Sequence, residues 1–337
     1  MEYIRLGDTG LIVSRFSFGA MTFGKGSMTG VNKVNEPDAT ALVERALEAG
    51  VNFFDTANVY SGGQSETILG KILHQRRHEV VISSKAGFRV GKALLQAGLS
   101  RQHLMTECEA SLKRLDTDYL DIFIVHKTDQ FTPLEETLET LNDLVRQGKT
   151  RYIGFSNWPT WLAAKAVQMQ RERGWARFIT SQMYYSLVGR DLEHDFVTFL
   201  QDAGVGMMVW SPLAGGFLSG KYTPDNLKDA DNRLSSFDVI PFDKELGFKV
   251  VDKLREIAEG HHATVAQVAL AWMLAQPGVS TILTGASKLA QLNDNLGAVQ
   301  LKLSSDELGV VGELTRPTPL YPNWSMTDGP SKEALGL

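Results

Sequence analysis

The chain has 337 residues with 34 basic and 39 acidic side chains, a formal net charge of −5, 43% hydrophobic and 22% charged residues. That balance excludes a disordered chain and a generic nucleic-acid binder, and the length can bury a large core without disulfides or metals. At roughly 150 residues per domain the length suggests about two domains, yet an α/β barrel runs past about 250 residues as one unit. The single cysteine, Cys108, allows no intramolecular disulfide and fits a reducing compartment. Met1-Glu2-Tyr3-Ile4-Arg5 lacks the apolar stretch of a secretory signal, so a cytoplasmic location is expected.

Residues 3–6 and 11–14 flank the turn cluster Gly7-Asp8-Thr9-Gly10 and predict a hairpin. From Phe16-Ser17-Phe18 onward, short apolar runs alternate with helical spacings. Residues 38–49 carry Ala39, Leu42, Val43, Ala46 and Leu47 at helical intervals and stop at Gly50. Further strands are expected over 51–54, 80–83, 120–125, 151–155, 178–182, 205–210 and 281–283. Between them fall helices over 65–73, 100–115 with Ser100 as cap, and 133–147, and others starting at Pro159, Leu192 and Lys288. Residues 263–287 carry no formal charge, but Gln267, Gln276 and Pro277-Gly278 interrupt them. A buried helix, a turn and a strand explain that stretch better than a membrane span.

Eight strands alternating with helices, each strand a nearly continuous apolar run, predict a parallel sheet buried on both faces. No G-x-G-x-x-G fingerprint joins a first strand to a helix, which disfavours a dinucleotide-binding open sheet. The expected fold is a (β/α)8 TIM barrel with an N-terminal hairpin, occupying 1–337 as one domain. An insertion over 211–244, extra helices over 243–259 and 304–314, and a tail over 316–337 interrupt or extend the repeat. Long segments of this kind are usually functional or disordered.

Barrel chemistry sits at the C-terminal strand ends. Asp55, Lys85 and His126 each follow an apolar run there, and Tyr60 lies in the loop after Asp55. Each has a plainer use: a helix cap, a solvated charge, a satisfied rim histidine, a packed ring. Together they suggest a device in which the lysine ammonium lowers the tyrosine pKa and the carboxylate holds the ammonium. A shift of about three units would need roughly 4 kcal/mol. The histidine would align a substrate carbonyl.

The segments Val51-Asn52-Phe53-Phe54-Asp55-Thr56-Ala57-Asn58-Val59-Tyr60, Ile82-Ser83-Ser84-Lys85 and Asp118-Tyr119-Leu120-Asp121-Ile122-Phe123-Ile124-Val125-His126 resemble the signatures of the aldo-keto reductase superfamily. The long insertion makes the chain similar to the branch containing the potassium-channel β-subunits. The resemblance implies reduction of an aldehyde or ketone, a xenobiotic carbonyl included, by transfer of the 4-pro-R hydride of NADPH, reversibly. It implies Tyr60 as general acid, Asp55 and Lys85 tuning it, and His126 orienting the carbonyl.

It also implies a cofactor site. Ser156, Asn157 and Gln182 would bind the carboxamide, Trp210 would stack on the nicotinamide, and Ser211-Pro212-Leu213-Ala214 would cover the pyrophosphate. Lys221 and Arg233 would supply cations for phosphate. Gly285, Ser287, Gln291, Asp294 and Asn295 would surround the adenosine phosphate, with the helix N-terminus facing the anion. Asp294 stands where relatives often have Glu, and Lys127-Thr128-Asp129 departs from the usual Pro before Asp. Phe23, Phe88, Trp158, Tyr321 and Trp324 could wall an apolar substrate pocket or simply pack.

Two other readings compete. A nicotinamide-sensing auxiliary subunit of a larger assembly is one, although the channel subunits carry Asn at the place of His126. A metal-dependent hydrolase using His74 and His78 is the other, weakened by Arg76-Arg77 between them and by the absence of an accompanying carboxylate. The partner expected is a small carbonyl substrate, with no nucleic acid, no membrane and an oligomeric state left open.

Overall fold

The computed structural model describes residues 1–26, 31, 33–227 and 239–325. The turn at Gly7-Asp8-Thr9-Gly10 joins β1 (Tyr3–Arg5) to β2 (Ile12–Ser14), paired antiparallel with Tyr3 opposite Ser14. Eight parallel strands follow: β3 (Phe16–Gly19), β4 (Phe53–Asp55), β5 (Val81–Ala86), β6 (Leu120–Val125), β7 (Thr150–Ser156), β8 (Phe178–Tyr184), β9 (Gly206–Trp210) and β10 (Val279–Thr284). They close in sequence order, β10 pairing with β3, into the expected (β/α)8 barrel.

Helices wrap the strands: α1 (Glu36–Glu48), α2 (Gln64–Leu73), α3 (Arg101–Leu115), α4 (Leu134–Arg146), α5 (Thr160–Arg173) and α6 (Phe196–Ala203). Beyond the insertion lie α7 (Lys244–His261), α8 (Val265–Leu274), α9 (Leu289–Gly297) and α10 (Ser305–Leu314). Their ends are written locally. Ser100 caps α3 by accepting the His103 amide, and capping boxes Thr264/Gln267 and Ser304/Glu307 open α8 and α10. Among the described residues no helix is long and apolar enough to cross a membrane.

The sheet separates two apolar layers. Outside it, strand residues such as Phe16, Phe54, Phe123 and Phe155 pack under the helices. Inside it, Phe53, Val81, Ile122, Ile124 and Met208 meet Leu6 and Val13 from the hairpin. The hairpin closes this inner layer from below. Gly7, at φ +58°, passes so near the barrel that a Cβ there would stand 2.4 Å from the Ile179 carbonyl oxygen.

That inner layer positions the chemistry. Side chains of a strand alternate between faces, so a residue two positions on points the same way. Asp55 therefore stands above Phe53, Ser83 and Lys85 above Val81, and His126 above Ile124 and Ile122. Lys85 is a member of β5 instead of following it as expected, because its charge is matched within the barrel. The 74–79 segment is a 3-10 turn broken at Arg76 (φ −114°), not a continuous helix presenting His74 and His78 together.

Close packing outside the barrel gives a simple test. Gly70 of α2 faces α3, and a Cβ there would fall 2.3 Å from the Leu115 carbonyl oxygen. Gly70→Ala should destabilise the fold by about 1–3 kcal/mol, read as a lower urea midpoint at unchanged slope.

Candidate active site

Asp55 ends β4 and is almost fully enclosed. Its Oδ2 accepts Lys85 Nζ at 2.6 Å, while Oδ1 accepts Ser83 Oγ at 2.7 Å and Gln182 Nε2 at 2.9 Å. Lys85 Nζ also donates to the Thr56 carbonyl at 2.6 Å. Lys85 is 0% exposed, so an unpaired ammonium there would be costly. The pairing answers that cost.

Tyr60 opens the short 3-10 turn Tyr60–Gly63. Its ring lies 5.1 Å from Lys85 Nζ, and it meets the His126 ring edge-on at 6.0 Å. The edge of Phe88 packs on His126 from another side at 4.6 Å, with Lys127 Nζ 4.8 Å from the Phe88 ring. The structure thus brings Asp55, Tyr60, Lys85 and His126 together at one rim.

The electrostatics differ from the sequence expectation in one respect. Burial, with the Asp55 charge added, pushes the Tyr60 phenol well above its ordinary value of 10.0. Burial and Asp55 outweigh the nearby ammonium of Lys85, whose charge is shared with Asp55 and the Thr56 carbonyl. Burial pulls the Lys85 ammonium down, and Asp55 opposes that fall. Burial first, then the positive charges of Lys85 and Lys127, holds His126 well below 6.5. At neutral pH the pair is therefore a protonated phenol and a neutral imidazole. The Nδ1 of His126 is buried without a hydrogen-bond partner.

The sign of a pH profile follows. With Tyr60 as the acid that the resemblance implies, the site stays competent until the phenol ionises, so carbonyl reduction should be flat between about pH 6 and 9. Alcohol oxidation needs the phenolate and should rise with pH over the same range. Steady-state kcat in both directions checks this, and a reduction rate falling near pH 7 would contradict it.

The sector β7–β10 holds the expected cofactor residues. Ser156 Oγ donates to the Gln182 carbonyl at 2.6 Å, and Asn157 Nδ2 donates to the His126 carbonyl at 3.1 Å. Trp210 Nε1 donates to Asn157 Oδ1 at 3.1 Å, and its ring tilts against Tyr184 at 5.1 Å. Gln182 has its amide NH2 turned to Asp55. Asn157, Ser211 and Ala214 all hold positive φ, at 58°, 54° and 47°, so non-glycine backbone is strained at two neighbouring loops of this rim. Pro212 is buried in that turn and Leu213 partly so, and the Ser211 hydroxyl accepts the Gly215 amide.

Farther along, Gly285 is exposed just past β10. Gln291 Oε1 accepts both the amide and the hydroxyl of Ser287, at 3.1 and 3.2 Å. The Asp294 carboxylate is turned to Thr264 and Gln267 at the start of α8, a tie between helices, while Asn295 is half-buried. Lys221 is exposed over the Tyr222 ring at 4.8 Å, and Arg233 lies outside the described residues.

Of the expected pocket residues, Phe88 is the one in ring contact with His126. Phe23 and Trp158 are buried, Phe23 against Phe18 and Trp158 against Phe155 and Phe178, so they present no surface to the rim. Tyr321 and Trp324 are exposed and pack on each other at 5.9 Å, with Asn323 Nδ2 bonded to the His194 carbonyl. Sequence reasoning missed Ser83, although its two-residue spacing from Lys85 signals a shared face. It also left Asp129 without a role. Its carboxylate accepts the Leu99 and Phe131 amides and the Thr132 hydroxyl, pinning the loops after β5 and β6 together. Against the effect of burial, those bonds hold it below the usual carboxylate range.

The histidines of the competing metal reading are engaged elsewhere. His74 Nδ1 lies 3.1 Å from Asp116 Oδ2, and His78 stacks on Tyr119. Cys108 is buried and its thiol is pushed up to about 12 by burial, which makes it a poor nucleophile.

Comparison with known proteins agrees with the geometry. The profile described as "Aldo/keto reductase family" matches residues 15–316. A versiconal hemiacetal acetate reductase of Aspergillus parasiticus is 34% identical over 96% of this chain and 99% of its own. A probable voltage-gated potassium channel subunit beta of Arabidopsis thaliana is 35% identical over 89% and 92%. A putative aryl-alcohol dehydrogenase of Schizosaccharomyces pombe is 32% identical over 94% and 96%.

Proposed function

The chain belongs to the aldo/keto reductase family, an oxidoreductase family, and from that premise we propose that it reduces an aldehyde or ketone to an alcohol with NADPH. The observation that carries the reading is the convergence of Tyr60, His126 and the Asp55–Lys85 pair at the C-terminal ends of adjacent strands. When bound, the nicotinamide cofactor supplies the hydride.

The chain's own residues do the rest. His126, neutral, presents a ring N–H to the carbonyl oxygen and fixes its direction. Tyr60 gives its phenolic proton to that oxygen as negative charge develops there. Lys85, held by Asp55, keeps a fixed positive charge beside the phenol, which opposes loss of the phenolate form once the proton has left. Phe88 excludes water on one side of His126.

The residues at the β7–β10 sector fit a long, amphipathic, anionic cofactor. Trp210 offers an aromatic face, Asn157 an amide now held by the His126 carbonyl and Trp210, and Ser287 two donors at the start of α9. Gln291 now occupies those two donors and would have to release them. Lys221, Arg233 and Ser287 are the groups through which a 2′-phosphate would be preferred. We read 1–337 as one barrel, with the insertion and the tail serving that rim.

The test is cofactor consumption with a panel of aldehydes, ketones and quinones, run with NADPH and NADH in parallel. Turnover with NADPH at a several-fold higher kcat/KM than NADH is expected. No turnover with any carbonyl would overturn the reading.

A second reading, a nicotinamide-sensing auxiliary subunit, draws support from the similarity to a probable channel subunit beta. His126 favours the reductase, since it completes a reacting site that a sensor does not need. Negligible turnover with retained cofactor binding would reverse that preference.

A further inference from the structure

Three carboxylates among the described residues are buried: Asp55, Glu66 and Glu107. Asp55 is matched by Lys85, and Glu66 by Arg114. Glu107, on the third helix of the outer layer, is 7% exposed and takes part in no ion pair among the described residues. An unmatched buried carboxylate is costly, and packing between α3 and the barrel would be served as well by an apolar side chain. Some other use for it must be found.

Its hydrogen bond shows the use. Glu107 Oε2 accepts Asn58 Nδ2 at 2.7 Å, inside the protein. Asn58 is itself buried and lies between Asp55 and Tyr60 in the chain. Its backbone amide donates to the Lys85 carbonyl at 3.1 Å. One residue thus ties the loop to the strand carrying the lysine and, through its side chain, to a helix outside the barrel.

The chemistry of the pair fixes the direction of the amide. A carboxylate only accepts, so the Asn58 NH2 group must face Glu107 and its Oδ1 must face away. Oδ1 is indeed buried with no partner, a state that a freely turning amide would not keep. The cost of that orphan acceptor is borne by the Glu107 contact. Tyr60 follows two residues on, its amide bonded to the Ala57 carbonyl at 3.1 Å.

We propose that Glu107 is a positioning residue, acting through Asn58 to hold the loop between Asp55 and Tyr60 in register with Lys85. The proposal rests on Tyr60 being the proton donor. Glu107 touches neither substrate nor any reacting atom. Its influence is on where the phenol stands, and a displacement of about 1 Å costs about 10²-fold in rate.

The experiment exchanges the polarity of the link. Asn58→Asp sets two carboxylates against each other and should lower kcat at least about tenfold, with carbonyl KM and NADPH Kd within about twofold. Glu107→Gln keeps an acceptor and should stay within about threefold of the wild type. The double variant Asn58→Asp with Glu107→Gln restores a donor and an acceptor in reversed order, and should return to within about threefold as well. If Asn58→Asp does not fold, Asn58→Ala carries the test with the same tenfold loss expected. The proposal is overturned if either Asn58 variant keeps its kcat within about twofold, or if the double variant is no better than Asn58→Asp. It is also overturned if NADPH affinity falls in step with kcat, since that marks general loosening of the rim. A wild-type enzyme without turnover on the carbonyl panel would remove the parent reading, and this proposal with it. An active wild type with unaltered variants removes this proposal alone.

Discussion

Tyr60→Phe is expected to lower kcat for carbonyl reduction by about 10²–10⁴-fold while NADPH binding stays within about twofold. The substitution removes one hydroxyl and leaves the ring, so the edge contact with His126 at 6.0 Å can persist. Steady-state kinetics and a cofactor titration separate the two effects. A weak acid is sufficient here. The phenol is held above 10.0 by burial and by Asp55, but the alkoxide that forms as hydride arrives is far more basic. Proton transfer in the reductive direction therefore runs downhill without a lowered pKa. On the proposed mechanism the oxidative direction starts from the phenolate, which the resting site disfavours, so alcohol oxidation is expected to run slower than carbonyl reduction near neutrality. Turnover of Tyr60→Phe at the wild-type rate would remove Tyr60 from the role of acid. An equal loss of NADPH affinity would instead tie the hydroxyl to cofactor binding.

The barrel was legible because its signal is periodic. Eight apolar runs separated by helical spacings admit few architectures, and the closed order of strands follows. Asp55, Lys85 and His126 were legible for a related reason: a charged or titratable residue at the end of an apolar run is physically conspicuous. What the sequence hid depends on side-chain direction across the barrel. That Gln182 would turn its amide to Asp55, 127 residues earlier in the chain, follows only once β4 and β8 face each other. Phe23 and Trp158 were ambiguous because an aromatic residue near a strand end reads the same whether it faces the rim or the helices. They face inward. Glu107 is the sharpest case. On an amphipathic helix a glutamate ordinarily reads as solvated, and nothing local marks it as the partner of a loop that passes inside.

On the proposed mechanism the Asp55–Lys85 pair ties stability to chemistry, and the two contributions can be pulled apart. Lys85→Met should destabilise the fold by about 3–5 kcal/mol, because Asp55 would be left buried without a cation. Ser83 and Gln182 still donate to Oδ1, which places the expected loss toward the lower end of that range. Adding Asp55→Asn neutralises the stranded charge while keeping an acceptor for both donors. The double variant should recover a urea midpoint within about 1 kcal/mol of the wild type. Its kcat should remain at least about 10²-fold low, since no fixed charge then stands beside the Tyr60 phenol. The two measurements answer different questions. A Lys85→Met protein as stable as the wild type would mean that the pair contributes nothing net in its buried setting. A double variant with restored turnover would mean that Tyr60 works without an adjacent ammonium, and that the pair is only a filler of the barrel mouth. Stability regained with activity still lost is the outcome that assigns the charge to the reaction.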